Sequence, residues 1–307
     1  MSQLTEEQTA PPKRVHRQRS ATQWAVAWRR FKRNKSGVAG LAIVIAFVVF
    51  AIFGPLFAPY PPRSTESLLQ GQAGQPPSWK HPFGTEINGI DVFSDSIWGA
   101  RNDLWIGVAA TAIATLIGLA VGALAGYSRG VIGGILLGII QFFFVIPTLL
   151  LILLFSRVFQ VLVYQGFGVN LIVLILGLFG WPGISFVIRG EIFRVRELEF
   201  IQAEKALGAG NLRILFRHIV PNVLTPVIVL ASLLVAGNIL TEVVLFFLGF
   251  GPANVATWGE LIEEGVQYVS VYPWVALFPG LLVVTLVLGF NLLGDGLADA
   301  LNPRLRE

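Results

Sequence analysis

Residues 43–50, Ile43-Val44-Ile45-Ala46-Phe47-Val48-Val49-Phe50, are apolar at every position. They show neither the alternation of a half-buried strand nor the single stripe of an amphipathic helix. The octapeptide lies within 27 consecutive residues, between Lys35 and Arg63, that contain no Asp, Glu, Lys or Arg. A helix needs about 20 such residues to cross the hydrocarbon core of a bilayer, and there it satisfies its own backbone hydrogen bonds. Strands of a membrane barrel would be about 10 residues long with alternating polarity. The stretch reads as a membrane-spanning helix.

The same pattern recurs along the chain. Uncharged runs of 25 (Leu104–Ser128), 27 (Gly130–Ser156), 31 (Val158–Ile188), 24 (His218–Thr241) and 30 residues (Gly265–Gly294) follow. Only 13% of the 307 residues are charged, about half the share of a soluble domain. A water-soluble fold is excluded. The expected architecture is all-α and polytopic, with six transmembrane helices at 37–57, 104–126, 131–155, 169–188, 219–247 and 273–294. The first of these is not followed by a small-residue cleavage site and is expected to stay as a span. There is no cysteine, which rules out disulfides, thiolate zinc sites and cysteine nucleophiles. Glycine is frequent in the spans, at Gly118, Gly122 and Gly126 and again at Gly133, Gly134 and Gly138, and small residues four apart predict close helix packing.

Charge sets the expected orientation. Of the 22 Lys and Arg, 18 fall in the N-terminal segment, the Tyr127–Gly130 turn, the 189–218 loop and the C-terminus. Arg63, Lys80, Arg101 and Arg157 fall on the other side. The positive-inside rule then puts both termini in the cytoplasm of a cell whose inner or plasma membrane holds the chain. The expected organisation is a basic cytoplasmic segment (1–36), a first span (37–57), an extracytoplasmic segment (58–103), a five-helix core (104–294) and a cytoplasmic tail (295–307). Trp24, Trp28 and Phe31, spaced by four and three, predict an interfacial helix before the first span. The basic N-terminus reads as a topology signal and a contact for anionic lipid rather than for nucleic acid.

Catalytic chemistry is missing. There is no G-x-x-x-x-G-K-[ST] to cradle ATP phosphates and no H-E-x-x-H; the three histidines, His16, His81 and His218, are far apart in sequence. Gly183-Ile184-Ser185-Phe186-Val187 lacks the second glycine of a nucleophile elbow. No enzyme activity, cofactor or metal is expected. The polar residues inside spans are few. Gln141, Asn238 and Glu242 are the candidates for a translocation pathway or gate, because ionisable and polar groups in lipid point to function. No series of acids suggests a proton relay, which counts against a secondary transporter.

The 30-residue loop 189–218 is the unusual feature. Glu199 to Leu207 suits a helix with Phe200, Ala203 and Leu207 on one face. Gly208-Ala209-Gly210 should stop it, and Asn211 should cap a second helix with Leu212, Leu215, Phe216 and Ile219 as its apolar stripe. A DNA-binding helix pair would not be tied at both ends to membrane spans. A docking surface for a cytoplasmic partner fits better, since small residues sit among charges of both signs.

This loop resembles the permease motif of binding-protein-dependent ABC importers, roughly E-A-A-x3-G-x9-I-x-L-P. Gln202-Ala203-Glu204-Lys205-Ala206-Leu207-Gly208 is followed at that spacing by His218-Ile219-Val220-Pro221. Gln202 stands where the family has Glu, and Glu204 where it has the second Ala. Trp28-Arg29-Arg30-Phe31-Lys32-Arg33-Asn34-Lys35, Phe57-Ala58-Pro59-Tyr60, His81-Pro82-Phe83-Gly84-Thr85, Gly99-Ala100-Arg101, Phe247-Leu248-Gly249 and Trp258-Gly259 are similar to the C-type permease of dipeptide and oligopeptide importers. So is the tail from Asn291 to Arg304, with Gly294-Asp295-Gly296 and Asp299-Ala300-Leu301. The resemblance implies the type I ABC importer permease fold and half of a pathway for di- or oligopeptides. Nickel, glutathione or another small substrate is the alternative within that family. It implies four kinds of contact: a second homologous permease, two ATP-binding subunits, an extracytoplasmic substrate-binding protein and membrane lipid. Glu199, Gln202, Ala203, Glu204, Lys205, Gly208 and Arg213 would then form the ATPase-docking loop.

Overall fold

The structure is a computed structural model describing residues 23–63, 73–159, 161, 168–252 and 255–301. The polar stretch 1–22 and Pro303-Arg304 of the tail lie outside the described residues. Among those described, the chain is helical, and its only β pairing is an isolated bridge, Thr85 to Asp91. The helices are α1 (Gln23–Phe31), α2 (Lys35–Phe53), α3 (Val92–Tyr127), α4 (Gly130–Val145), α5 (Thr148–Val158), α6 (Gly168–Arg196), α7 (Glu199–Ala206), α8 (Asn211–Phe247), α9 (Trp258–Gln267) and α10 (Trp274–Leu301). Five of them, α2, α3, α6, α8 and α10, are each long and apolar enough to cross a membrane, α2 together with the short turn to Leu56.

The third expected span differs from a straight helix. α4 and α5 meet at Ile146-Pro147 with a bend of 81°. Proline lacks the amide hydrogen that would continue the ladder, so the apolar run 131–155 folds as a broken pair. Together they make the sixth candidate span.

Several boundaries also move. α3 starts at Val92, inside the expected extracytoplasmic segment 58–103, and α10 runs on to Leu301, into the expected tail. Asp91 caps α3 by accepting from Ser94 N at 2.7 Å, and its other oxygen takes His81 Nδ1 at 2.7 Å. Ahead of it, Asn88-Gly89 forms the expected turn, with Gly89 at φ +85°.

Glycines fix the bundle. A Cβ on Gly118 would stand 2.1 Å from Ile184 Cγ2; on Gly122, 2.6 Å from Ser185 O; on Gly126, 2.8 Å from Arg189 O. α3 and α6 therefore pack backbone against backbone through the expected small-residue stripe, as small residues allow in lipid. Gly134 and Gly138 on α4 do not follow that expectation within the chain, because each faces open space. At the other edge Gly37 and Gly296 approach so closely that a Cβ on either would lie within 3 Å of the other's Cα. Asn34 caps α2 through Gly37 N (2.9 Å) and donates its amide to Asp299 (2.9 Å), joining the two ends of the described chain. α1 is present as expected; Phe31 is buried against this contact, and Trp28 is half-exposed, with Lys32 over its ring.

Candidate functional site

α6 continues past the expected span to Arg196, and the chain turns at Leu198 into α7. Two side chains make this turn rigid. Arg196 is buried; its Nη1 donates to Gly126 O (2.8 Å) and Tyr127 O (3.3 Å), carbonyls at the C-terminal end of α3 that have no helical partner. Gln202 Nε2 donates to Arg196 O at 3.0 Å. A glutamate at position 202 has no proton to donate there when ionised, so this departure from the family motif has a local structural use.

One residue of α7, Ile201, is fully buried. It joins Ile192, Val195, Ile214, Leu215 and Ile219 in a core that links α6, α7 and α8. The face expected to carry Phe200, Ala203 and Leu207 points outward: all three are exposed, Leu207 by 84%. Gly208 ends the helix at φ +81°, with its amide donating to Lys205 O and that of Ala209 to Glu204 O. Nothing lies within 4 Å of a Cβ built on Gly208 or Gly210.

Two details of α8 correct the sequence reading. Its N-cap is Gly210, not Asn211; the Asn211 side chain instead accepts from Tyr127 Oη at 2.8 Å. The apolar stripe is split, because residues Ile214–Ile219 form a π-helical segment. The wider turn sends Ile214, Leu215 and Ile219 inward and leaves Leu212 and Phe216 exposed by 71% and 66%. These two extend the exposed apolar surface of the loop. Glu199, Gln202, Ala203, Gly208 and Arg213 are exposed, Glu204 and Lys205 half-buried, with Glu204 3.8 Å from His218. All seven predicted residues thus lie in one short helix–turn–helix start at one end of the bundle.

The three pathway candidates separate. Gln141 is exposed on α4, on the same face as Gly134 and Gly138. Asn238 is buried and donates to Thr111 Oγ1 at 2.9 Å. Glu242 is fully buried against the Asp103 carboxyl. Asp103 in turn accepts from the Trp258 amide at 3.1 Å, and Trp258 Nε1 donates to Ser96 O at 3.0 Å. Gly99, under Trp258, leaves that ring its place. The motifs around residues 99 and 258 are one contact.

Sequence reasoning missed an ion cluster at the start of α3, the end of that helix away from α7. Arg63, at φ +27°, binds Asp95 (2.9 Å), Glu260 (2.8 Å) and Glu264 (2.8 Å), and its side chain is only 7% exposed. Burial opposes its charge, but Asp95, Glu264 and Glu260 together outweigh that and raise its pKa above the ordinary arginine value. Burial, then the neighbouring Glu264 carboxylate, pushes Glu86 up to about 8. Burial likewise raises Glu260 to about 7 against the pull of Arg63. The five residues come from three separate regions of the chain, so no local spacing signals the cluster.

Among the described residues no group of three or more His, Asp or Glu is placed to hold a metal. Residues 118–307 match the family described as binding-protein-dependent transport system inner membrane component, and residues 22–77 match the N-terminal TM domain of oligopeptide transport permease C. The oligopeptide transport system permease protein OppC of Bacillus subtilis is 36% identical over 290 residues, 94% of this chain and 92% of that protein. The dipeptide transport system permease protein DppC of the same organism is 37% identical over 283 residues, 92% and 86% of the two chains. OppC of Mycobacterium bovis is 36% identical over 281 residues, 91% and 94%. With the helical bundle and its protruding loop, these matches show that the chain belongs to the inner membrane permease family of binding-protein-dependent transport systems.

Proposed function

We infer that this chain forms half of the translocation pathway of an ABC importer for di- or oligopeptides. A second homologous permease completes the pathway, two cytoplasmic subunits hydrolyse ATP, and an extracytoplasmic protein delivers the peptide. The observation that carries this reading is the exposed apolar face of α7 and the start of α8, bare of any internal partner and punctuated by Ala203 and Gly208. The relatives named for dipeptide and oligopeptide transport support the substrate class.

The geometry suggests how force reaches the pathway. α7 is tied to α3 through Arg196 and shares one core with α6 and α8. Closure of an ATPase pair on α7 would move these helices together and shift the bundle between inward-open and outward-open states, each favoured by a different ligand. Gln141, exposed beside Gly134 and Gly138, faces the second permease and lines the pathway; Asn238 and Glu242 hold α8 to α3 as the gate moves.

Peptide uptake into proteoliposomes should require this chain, a second permease, an ATPase and a binding protein, with ATP inside. The chain alone carries no phosphate-cradling loop and should neither bind nor hydrolyse ATP. Robust uptake by the single chain under an ion gradient would overturn the reading.

The orientation is tested by thiols, since the chain has none of its own. Ser78→Cys and Gly210→Cys both place the probe on exposed residues. In sealed cells an impermeant reagent should label position 78 and spare position 210 until the membrane is opened. Labelling of 210 from outside would reverse the topology.

A further inference from the structure

Where α3 leaves the bundle beside α7, a cavity of about 520 Å3 opens between α3, the start of α4, α7 and the start of α8. Leu124, Ile132 and Leu212 give it an apolar floor, and Arg129, Arg196 and Lys205 line it with three cations. Glu197 lies 3.0 Å from Arg196 Nε and 3.6 Å from Arg129 Nη2, so it serves two of the three, and among the described residues no carboxylate is within ion-pair distance of Lys205. Arg129 and Glu197 are 69% and 49% exposed, so that pair holds Arg129 only weakly. The Lys205 ammonium rests 6.0 Å over the Tyr127 ring.

A cavity with uncompensated positive charge above an apolar floor suits a ligand that is anionic at one end and hydrocarbon at the other. A free phosphate or nucleotide would leave the leucine floor unused. A zwitterionic lipid would bring its own cation towards Arg129. Basic pockets between spans on the cytoplasmic side suit anionic headgroups. We propose that this cavity binds the phosphate of an anionic phospholipid of the cytoplasmic leaflet, clamping α7 to the end of α3. Lys205 reaches the site from α7 itself, so occupancy restrains the loop's motion. The leaflet follows from the orientation inferred above; the binding does not depend on the transport reading.

The test is retention of phosphatidylglycerol against phosphatidylcholine by the purified full chain, read by native mass spectrometry. Wild type should retain phosphatidylglycerol preferentially. Each basic residue near an anionic headgroup is worth about a five-fold change in affinity, so Arg129→Gln with Lys205→Gln should weaken retention about 25-fold. Arg194→Gln, 65% exposed and paired with Glu191 near the same end of the bundle, should retain lipid as wild type does. Arg196 is left intact because it also holds the end of α3. A photoactivatable phosphatidylglycerol should label residues 124–132 and 211–215. Equal loss in Arg194→Gln would reduce the effect to general surface charge and overturn the site. Displacement of the lipid by millimolar inorganic phosphate would reassign the cavity to a free anion. Loss of ATPase co-purification in the double variant with lipid retention unchanged would make it a protein contact instead.

Discussion

Gly208→Val should abolish coupled transport while leaving the chain stable and inserted in the membrane. Position 208 sits at φ +81° at the end of α7, in the left-handed region where a β-branched residue is a severe outlier. Valine would therefore reshape the turn that closes on Lys205 O and redirect Ala209 and Gly210. Within the chain nothing stands within 4 Å of an added Cβ, so the bundle itself has no reason to fail. The damage falls on whatever approaches from outside. Overpacking a fitted contact costs about 1–3 kcal/mol, roughly five- to 150-fold in docking, and the lost turn adds to it. Gly208→Asn separates the two effects, because asparagine tolerates the left-handed conformation but still fills the approach. It should keep α7 in place and dock weakly. Arg213→Gln, an exposed charge, should change docking by no more than about 1 kcal/mol. Peptide-stimulated ATPase activity and co-purification of the ATPase are the measurements; wild-type values for Gly208→Val would remove α7 from the docking surface.

The membrane character of the chain was legible in its uncharged runs, because lipid demands apolar residues over a fixed length. The short helix and turn after α6 were legible because their features are local: a glycine stop, small residues and a face at spacings of three and four. What escaped depended on contacts between distant residues or on backbone detail. α3 begins at Val92 although Asp95, Arg101 and Asp103 interrupt its hydropathy; Asp95 is bound to Arg63, and Asp103 to the Trp258 amide. Hydropathy cannot tell a charge in water from one buried with a partner. The bend at Pro147 leaves apolarity unchanged. The π segment at Ile214–Ile219 turns Leu212 and Phe216 outward by a change of winding that a stripe drawn at 3.6 residues per turn does not contain.

Arg63→Met should cost the isolated chain most of the stability of the end of the bundle where α3 starts, and the loss should fade as the pH is lowered. Arg63 is the cation common to Asp95, Glu260 and Glu264, the last two of them three-quarters buried. Removing one partner from a buried ion group leaves charge without compensation, a loss of about 3–5 kcal/mol. The wild type already leans in the same direction. Glu86 holds its proton up to about 8, against an ordinary value of 4.5, and Glu260 up to about 7. The folded chain thus binds protons that the unfolded chain releases, and its stability falls as pH rises from about 4.5 to 8. Without Arg63 the carboxylates lose the attraction that favours their ionised forms, so the fall must steepen. At pH 5, protonation of the glutamates supplies what the guanidinium did. Tryptophan-fluorescence melts of the purified chain would read this, since Trp258 is buried one helix position from the capping Thr257 of α9, the helix that carries Glu260 and Glu264. The gap between variant and wild type should be large at pH 7.5 and small at pH 5. Glu86→Gln, which removes a titrating group and keeps its shape, should flatten the wild-type slope near pH 8. A gap of equal size at both pH values would mean that Arg63 acts through packing of its side chain, and that the ion cluster contributes nothing.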